Sequence, residues 1–221
     1  MRLVIGNKNY SSWSLRPWLL LQQLGLPFEE EQISFADPQW RRRLQGTPAP
    51  GRVPVLLDAE QVIWDSLAIF EYLAERFPDA GIWPRESAAR ARARCLCAEM
   101  HSSFTALRSA WPFNVTARLP GRGWNIAVQQ DLERILELWA RAQRDFGGEG
   151  PFLLGAFSAV DAYYAPVVLR FVTYGVELPE PAHRYCQAVL GLPALRRWIA
   201  LAAEERDFHP AGEPYRRPPQ P

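Results

Sequence analysis

The hydrophobic pattern of the chain changes once, and that change limits the fold it can adopt. Up to Phe77, apolar runs of strand length alternate with helical segments, whereas from residue 88 onward only helical periodicity is present. The ten residues between them, PDAGIWPRES, contain two prolines and a glycine, which is typical of a linker. The sequence therefore predicts an α/β domain at 1–78, a linker at 79–87 and an all-helical domain at 88–221.

The first domain is predicted to contain two groups of strands and helices. Strands are expected at 2–5 and 28–33, on either side of a helix at 15–24 that stops at Gly25. The runs VPVLL and VIW flank DAEQ and predict an antiparallel pair, followed by a helix at 66–77. The expected order is β-α-β, an irregular excursion, and then β-β-α, with the first two strands parallel across their crossover helix.

The second domain is predicted to be helical up to its final residues. Ser158 and Asp161 form an S-x-x-D capping box at the start of a core helix. The tail from His209 onward is rich in proline and is expected to run extended along the surface. The expected helices are 88–110, 125–146, 159–173, 182–190 and 193–206.

Charge and composition exclude several classes of function. The 221 residues carry a formal net charge of +1, which argues against a dedicated surface for nucleic acid or an anionic membrane. No uncharged apolar run approaches about 18 residues, and no signal peptide precedes the first strand, so a cytoplasmic protein is expected. The three cysteines and three histidines lack disulfide or metal-ligand spacing, which predicts no metal site.

A serine-rich loop, SSWSLRP, joins the first strand to the first helix. Pro17 has no N–H and is tolerated best in the first helical turn, so we expect Ser14 to be the N-cap. Ser11 and Ser12 would then stand free in the loop, facing the positive end of the helix. This arrangement suits an anion.

Four segments together resemble a known family. SSWSLRPW, GRVPVLL and DSLAIFEYL follow one another within the first 80 residues, and FSAVDAYYAPV lies at 157–167. In this order they resemble the glutathione S-transferases, most closely the serine-type theta and zeta classes. The resemblance implies a thioredoxin-like α/β domain of βαβ-ββα order followed by an all-α domain. It also implies a homodimer that uses glutathione as co-substrate and holds no permanent cofactor.

The resemblance assigns glutathione-binding roles to two pairs of residues. Val53 and Pro54 match the family's cis-proline site, where the backbone pairs with the cysteinyl part of glutathione. Asp65 and Ser66 match the pair that holds the γ-glutamyl end. Their chemistry agrees, since Asp65 can pair with the ammonium group, while the Ser66 hydroxyl and N–H at a helix start can hold the carboxylate.

The resemblance also identifies two candidate catalytic serines. Ser12 lies four residues before Arg16, as in theta-type members, whereas Ser11 fits the zeta-type pattern about equally well. We favour Ser12 and keep Ser11 as the alternative. The expected role is a hydrogen bond from the hydroxyl to the glutathione sulfur. This bond lowers the thiol pKa from its ordinary value of about 8.5.

The second substrate is expected to meet aromatic and cationic side chains. Trp13 replaces a cysteine of the zeta class and is expected either to wall the electrophile pocket or to pack in the core. A helical stripe near the start of the second domain is more often core than pocket wall, but its arginine is a candidate contact for a substrate carboxylate. The members of this stripe are Met100, Phe104, Arg108 and Trp111.

The leading functional hypothesis is a glutathione transferase acting on a small hydrophobic electrophile. The alternatives are a glutathione-dependent isomerase, similar to maleylacetoacetate isomerase, or a peroxidase, since both use the same activated sulfur. A non-catalytic binding or regulatory protein with this fold is the third possibility.

Overall fold

The first part of the chain folds into a four-stranded mixed sheet of order β2-β1-β3-β4. We describe it from a computed structural model that covers residues 1–49 and 51–216. β1 and β2 are parallel and β3 and β4 are antiparallel, as the sequence predicted, and β3 is also antiparallel to β1. The strands are β1 (Arg2–Ile5), β2 (Glu29–Gln32), β3 (Val55–Asp58) and β4 (Gln61–Ile63).

Two helices accompany this sheet, α1 (Ser12–Gln23) and α2 (Ser66–Arg76). α1 begins three residues earlier than predicted, because Ser11 and not Ser14 is its N-cap. The Ser14 hydroxyl is already used, since it accepts a hydrogen bond from Gly6 N–H at 3.1 Å. Pro17 is therefore the sixth helical residue and leaves one helical hydrogen bond unmade. Deep burial of most of α1 in the core offsets that loss.

The second part of the chain contains six α-helices within the described residues. The predicted helix 88–110 is wrong as a single element, because it breaks at Phe104, whose backbone is left-handed with φ 58°. The helix resumes where the Asp131 carboxylate accepts a hydrogen bond from Leu107 N–H at 2.9 Å. The helices are α3 (Ser87–Ser102), α4 (Thr105–Ala110), α5 (Ile126–Ala142), α6 (Ala159–Tyr174), α7 (Glu180–Leu190) and α8 (Pro193–Glu204).

Helix α6 is the centre of the core and is buried on nearly all sides. The predicted capping box is confirmed, with Ser158 and Asp161 bonding reciprocally at its start. α6 packs against α1 and α3, so one hydrophobic core joins the sheet region to the helices. The fold is thioredoxin-like in its first part and all-helical afterwards, as predicted.

The C-terminal segment does not run extended along the surface as expected. After α8 it turns back onto the loop between β1 and α1, and Pro210–Gly212 forms a short 3₁₀ turn. A Cβ atom on Gly212 would lie 2.6 Å from the Tyr10 ring, so only glycine permits this approach. The remainder of the predicted tail, at 217–221, lies outside the described residues.

Candidate functional site

A cavity of about 390 Å³ opens where the first turns of α1 and α2 face the end of α3. A smaller cavity of about 200 Å³ adjoins it and shares Trp13, Arg52 and Val53 with it. The larger cavity is also lined by Pro54, Trp64, Asp65, Ser66, His101 and Arg108. The smaller one is also lined by Tyr10, Ser11, Ser12, Phe35 and Trp40.

The two candidate serines differ in what their hydroxyl groups contact. Ser11 Oγ accepts a hydrogen bond from Ser14 N–H at 3.3 Å and donates one to Ser14 Oγ at 2.7 Å. Ser12 Oγ makes no hydrogen bond to any residue that the structure describes, although Ser12 is only 9% exposed. Because Ser12 also lines the smaller cavity at the first turn of α1, its hydroxyl is available to a ligand there.

Val53 and Pro54 form the edge of the site that precedes β3. The peptide bond between them is cis, and both residues line the larger cavity. Strand pairing of β3 with β1 begins only at Val55, so the Val53 backbone lies outside that register.

Asp65 and Ser66 are held by hydrogen bonds at the start of α2. Asp65 Oδ1 accepts from Leu67 N–H at 2.9 Å, which makes Asp65 the N-cap. Asp65 Oδ2 lies 3.3 Å from His101 Nε2. The Ser66 hydroxyl is buried and lies 3.0 Å from the Tyr163 hydroxyl. Both side chains are therefore fixed in place before any ligand arrives.

His101 and Tyr163 complete this network, although no motif in the sequence identifies either of them as a site residue. His101 lies near the end of α3 and Tyr163 in the first half of α6, and the two side chains meet at 2.8 Å between Nδ1 and the hydroxyl. Burial raises the pKa of Tyr163 to about 12, which keeps its hydroxyl protonated. His101 and Tyr163 are 62 residues apart in the sequence, so no local pattern could have revealed their contact.

Two arginines flank the Trp13 ring. The buried Arg16 guanidinium lies 4.0 Å from the ring centroid, and burial lowers the Arg16 pKa to about 10. The half-buried Arg108 guanidinium lies 5.5 Å from the same ring and donates to the His101 carbonyl at 3.1 Å. Burial also lowers the pKa of Arg108. Neither arginine forms a salt bridge within the described part of the chain. Arg108 lines the larger cavity and gives that wall a positive charge, whereas Arg16 is buried and lines neither cavity.

The structure separates the candidates for the second-substrate pocket. Trp13 and Arg108 line the larger cavity. Met100, Phe104 and Trp111 are at most 4% exposed and belong to the hydrophobic core, and they do not line either cavity of the site. We therefore keep only Trp13 and Arg108 as pocket candidates.

Among residues 1–49 and 51–216 there is no group of three or more His, Cys, Asp or Glu that could hold a metal ion. No helix in the same part of the chain is long and apolar enough to cross a bilayer. The three cysteines are free thiols; Cys97 and Cys186 are buried, whereas Cys95 is exposed.

Comparison with known proteins gives a consistent result across the chain. Residues 10–76 match the family model for the glutathione S-transferase N-terminal domain, and residues 67–201 match the model for the C-terminal domain. The chain is 28% identical to a stringent starvation protein A homolog of Pasteurella multocida, over 86% of this chain and 80% of the relative. It is 26% identical to a maleylacetoacetate isomerase of Pseudomonas aeruginosa, over 97% and 98% of the two chains.

A solved structure supports the same fold. The chain matches a glutathione transferase homolog from Burkholderia GL BGR1 with bound glutathione, with a TM-score of 0.69. The match covers 92% of this chain and 97% of the other, at 24% identity. At that level of identity the likeness concerns the fold.

Proposed function

Because this chain belongs to the glutathione S-transferase family, we propose that it binds glutathione in this cavity and activates the thiol for attack on a small electrophile. The observation that carries the proposal is the Ser12 hydroxyl. It lies at the first turn of α1, beside Val53, and has no hydrogen-bond partner among the described residues.

The Ser12 hydroxyl would donate a hydrogen bond to the glutathione sulfur. A hydrogen bond to a charged group contributes about 1.5–3 kcal/mol, and the helix end adds about 0.3–1 kcal/mol. A thiol pKa of about 8.5 would then fall by roughly two units, since one unit corresponds to about 1.4 kcal/mol. The thiolate fraction at neutral pH would rise from a few per cent to more than half.

The opposite end of glutathione would be held at the start of α2. Its ammonium group would pair with the half-exposed Asp65 carboxylate, and its carboxylate would accept from the N–H and the hydroxyl of Ser66 at the start of α2. The cysteinyl backbone would pair with Val53. In the reaction the thiol proton leaves to solvent, and the sulfur lone pair forms the new bond to the electrophile as its leaving group departs.

The second substrate would lie against Trp13 and Arg108. An indole beside a guanidinium that forms no salt bridge with the described residues suits a small, partly apolar electrophile that carries an anionic group. Isomerisation of an unsaturated acid uses the same activated sulfur. It is the second candidate, supported by the similarity to maleylacetoacetate isomerase along nearly the whole chain.

Family membership also leads us to propose a homodimer. Light scattering at micromolar concentration tests this separately from the chemistry. A species of twice 25.2 kDa is expected, and a single species of 25.2 kDa would refute the dimer.

Calorimetric titration with glutathione, followed by assays with neutral and carboxylate-bearing electrophiles, tests the function. We expect saturable binding and conjugation or isomerisation with at least one class of electrophile. If glutathione does not bind, the proposed function is wrong, whereas binding without turnover would favour a non-catalytic member of the family.

A further inference from the structure

The segment that follows α8, residues 205–213, forms hydrogen bonds with the loop between β1 and α1. We call this segment the C-terminal strap. We propose that Glu205 in this strap is a positioning residue for Ser12, acting through the loop Asn7–Ser11. The inference rests on the proposed function, because it assigns Glu205 a part in placing the hydroxyl that meets the sulfur. Glu205 lies 193 residues from Ser12 in the sequence and lines neither cavity of the site.

The Glu205 carboxylate accepts four hydrogen bonds from this region. Oε1 accepts from Lys8 N–H at 2.6 Å and from Gln32 Nε2 at 2.6 Å. Oε2 accepts from Asn9 N–H at 3.0 Å and from Asn7 Nδ2 at 3.4 Å. Two of these donors are backbone groups of the loop itself, so the carboxylate fixes the path of the main chain before α1.

Asn7 transmits this fixed path to the start of α1. Its backbone carbonyl accepts from Ser11 N–H at 2.8 Å and from Tyr10 N–H at 3.2 Å. Ser11 is the N-cap, so the direction in which α1 leaves the loop, and with it the position of Ser12, follows from Asn7. The Asn7 side chain also donates to Asp207 at 2.9 Å and accepts from Phe35 N–H at 2.6 Å.

Other contacts hold the strap against the same loop. The buried Glu213 accepts a hydrogen bond from the Tyr10 hydroxyl at 2.9 Å. The Trp198 indole of α8 donates to the Lys8 carbonyl at 3.0 Å. Tyr10 lines the smaller cavity, and the ring of the strap residue His209 lies 5.3 Å, between centroids, from that of Phe35, so the strap contacts two walls of this cavity.

All four groups around Glu205 are donors, and this specifies a carboxylate. Glutamine has one acceptor oxygen and an amide that only donates, so Glu205→Gln would set N–H groups against N–H donors. Aspartate keeps both acceptor oxygens on a shorter side chain. The neighbouring Glu204 is exposed and makes no hydrogen bond through its side chain to the described residues, so Glu204→Gln is a matched control.

The experiment compares the full-length protein with Glu205→Gln, Glu205→Asp and Glu204→Gln. We expect faster amide exchange at residues 7–14 in Glu205→Gln. Its kcat at neutral pH should fall about threefold to tenfold, a part of the loss expected on removing the Ser12 hydroxyl, because a misplaced donor stabilises the thiolate less. The KM for glutathione should change little, since Asp65 and Ser66 are untouched. Glu205→Asp should recover part of the loss, and Glu204→Gln should behave as wild type.

Two results would overturn the inference: unchanged amide exchange at 7–14 in Glu205→Gln, or a loss confined to KM with kcat unchanged. Failure of the proposed function is separate, because it appears as absent glutathione binding in the wild type. The amide-exchange comparison still decides the role of Glu205 in that case.

Discussion

The starts of α1 and α2 face the same cavity but are prepared in opposite ways. At the start of α2, Asp65 and Ser66 are already engaged, with Leu67 N–H, His101 and Tyr163 as partners. At the start of α1, Ser11 makes the capping bonds, and Ser12 is left with a hydroxyl that has no partner among the described residues.

This difference matches what each end would have to do. A group that holds fixed charges of a ligand benefits from being locked in place beforehand, because less freedom is lost on binding. A hydroxyl that stabilises a thiolate must instead be free to donate when the charge forms. We therefore expect changes at α1 to affect reaction rate, and changes at α2 to affect glutathione affinity.

The largest expected effect is at Ser12. Ser12→Ala removes the donor to the sulfur, and kcat at neutral pH should fall by about tenfold to thirtyfold, because the thiolate fraction returns from more than half to a few per cent. Stability should change little, because the hydroxyl makes no hydrogen bond within the described part of the chain. Steady-state kinetics and urea unfolding measure the two effects. Full activity in this variant would contradict the proposal that the start of α1 determines the reaction rate.

A change at Arg108 tests whether recognition of the second substrate is separate from glutathione binding. Arg108→Gln should lower kcat/KM for an electrophile bearing a carboxylate by about tenfold, since it removes a charge-assisted contact. A neutral electrophile of similar shape should be affected much less, and glutathione affinity should be unchanged. Equal effects on both electrophiles would show that Arg108 contributes packing alone.

A change at Tyr163 tests the proposed role of the start of α2 in glutathione affinity. Tyr163→Phe removes the hydroxyl that supports Ser66 and His101, and glutathione affinity should fall by about fivefold to tenfold at constant kcat. Tyr164→Phe is the matched control, because the Tyr164 hydroxyl bonds to the Leu96 carbonyl away from the cavity. Calorimetric titration measures both variants. If both lose affinity equally, the effect is general destabilisation of α6.

The smallest expected effect is at Ser11. Ser11→Ala removes the N-cap of α1 and should lower the free energy of unfolding by about 1 kcal/mol. Its effect on kcat should be much smaller than that of Ser12→Ala. Denaturant unfolding measures the first quantity. If Ser11→Ala instead lost activity as fully as expected for Ser12→Ala, the roles of the two serines would be exchanged.

The sequence predicted the fold well because its signals are local. The strands, the hairpin, helix α6 and its capping box all follow from periodicity, turn residues and an S-x-x-D motif. The prediction failed where a distant group decides the local structure. Ser14 lost the cap to Ser11 because Gly6 N–H takes its hydroxyl, and the break at Phe104 coincides with a carboxylate from α5 that starts α4.

The same limit applies to the site. Motif resemblance placed Ser12, Val53, Pro54, Asp65 and Ser66 around one pair of adjoining cavities, which the structure brings together. His101, Tyr163 and Glu205 make contacts that span 36 to 198 residues of sequence, and no spacing rule reveals such contacts. The predicted helical stripe of Met100, Arg108 and Trp111 is interrupted at Phe104, and long-range packing places Met100 and Trp111 in the core.

The most direct measurement is the ionisation of glutathione bound to the protein, followed by thiolate absorbance as pH is raised. We expect the pKa of the bound thiol in the wild type to lie well below the free value of about 8.5. In Ser12→Ala this pKa should return close to the free value. If the bound thiol in the wild type ionises no more readily than free glutathione, the Ser12 hydroxyl does not stabilise the thiolate and the account is wrong.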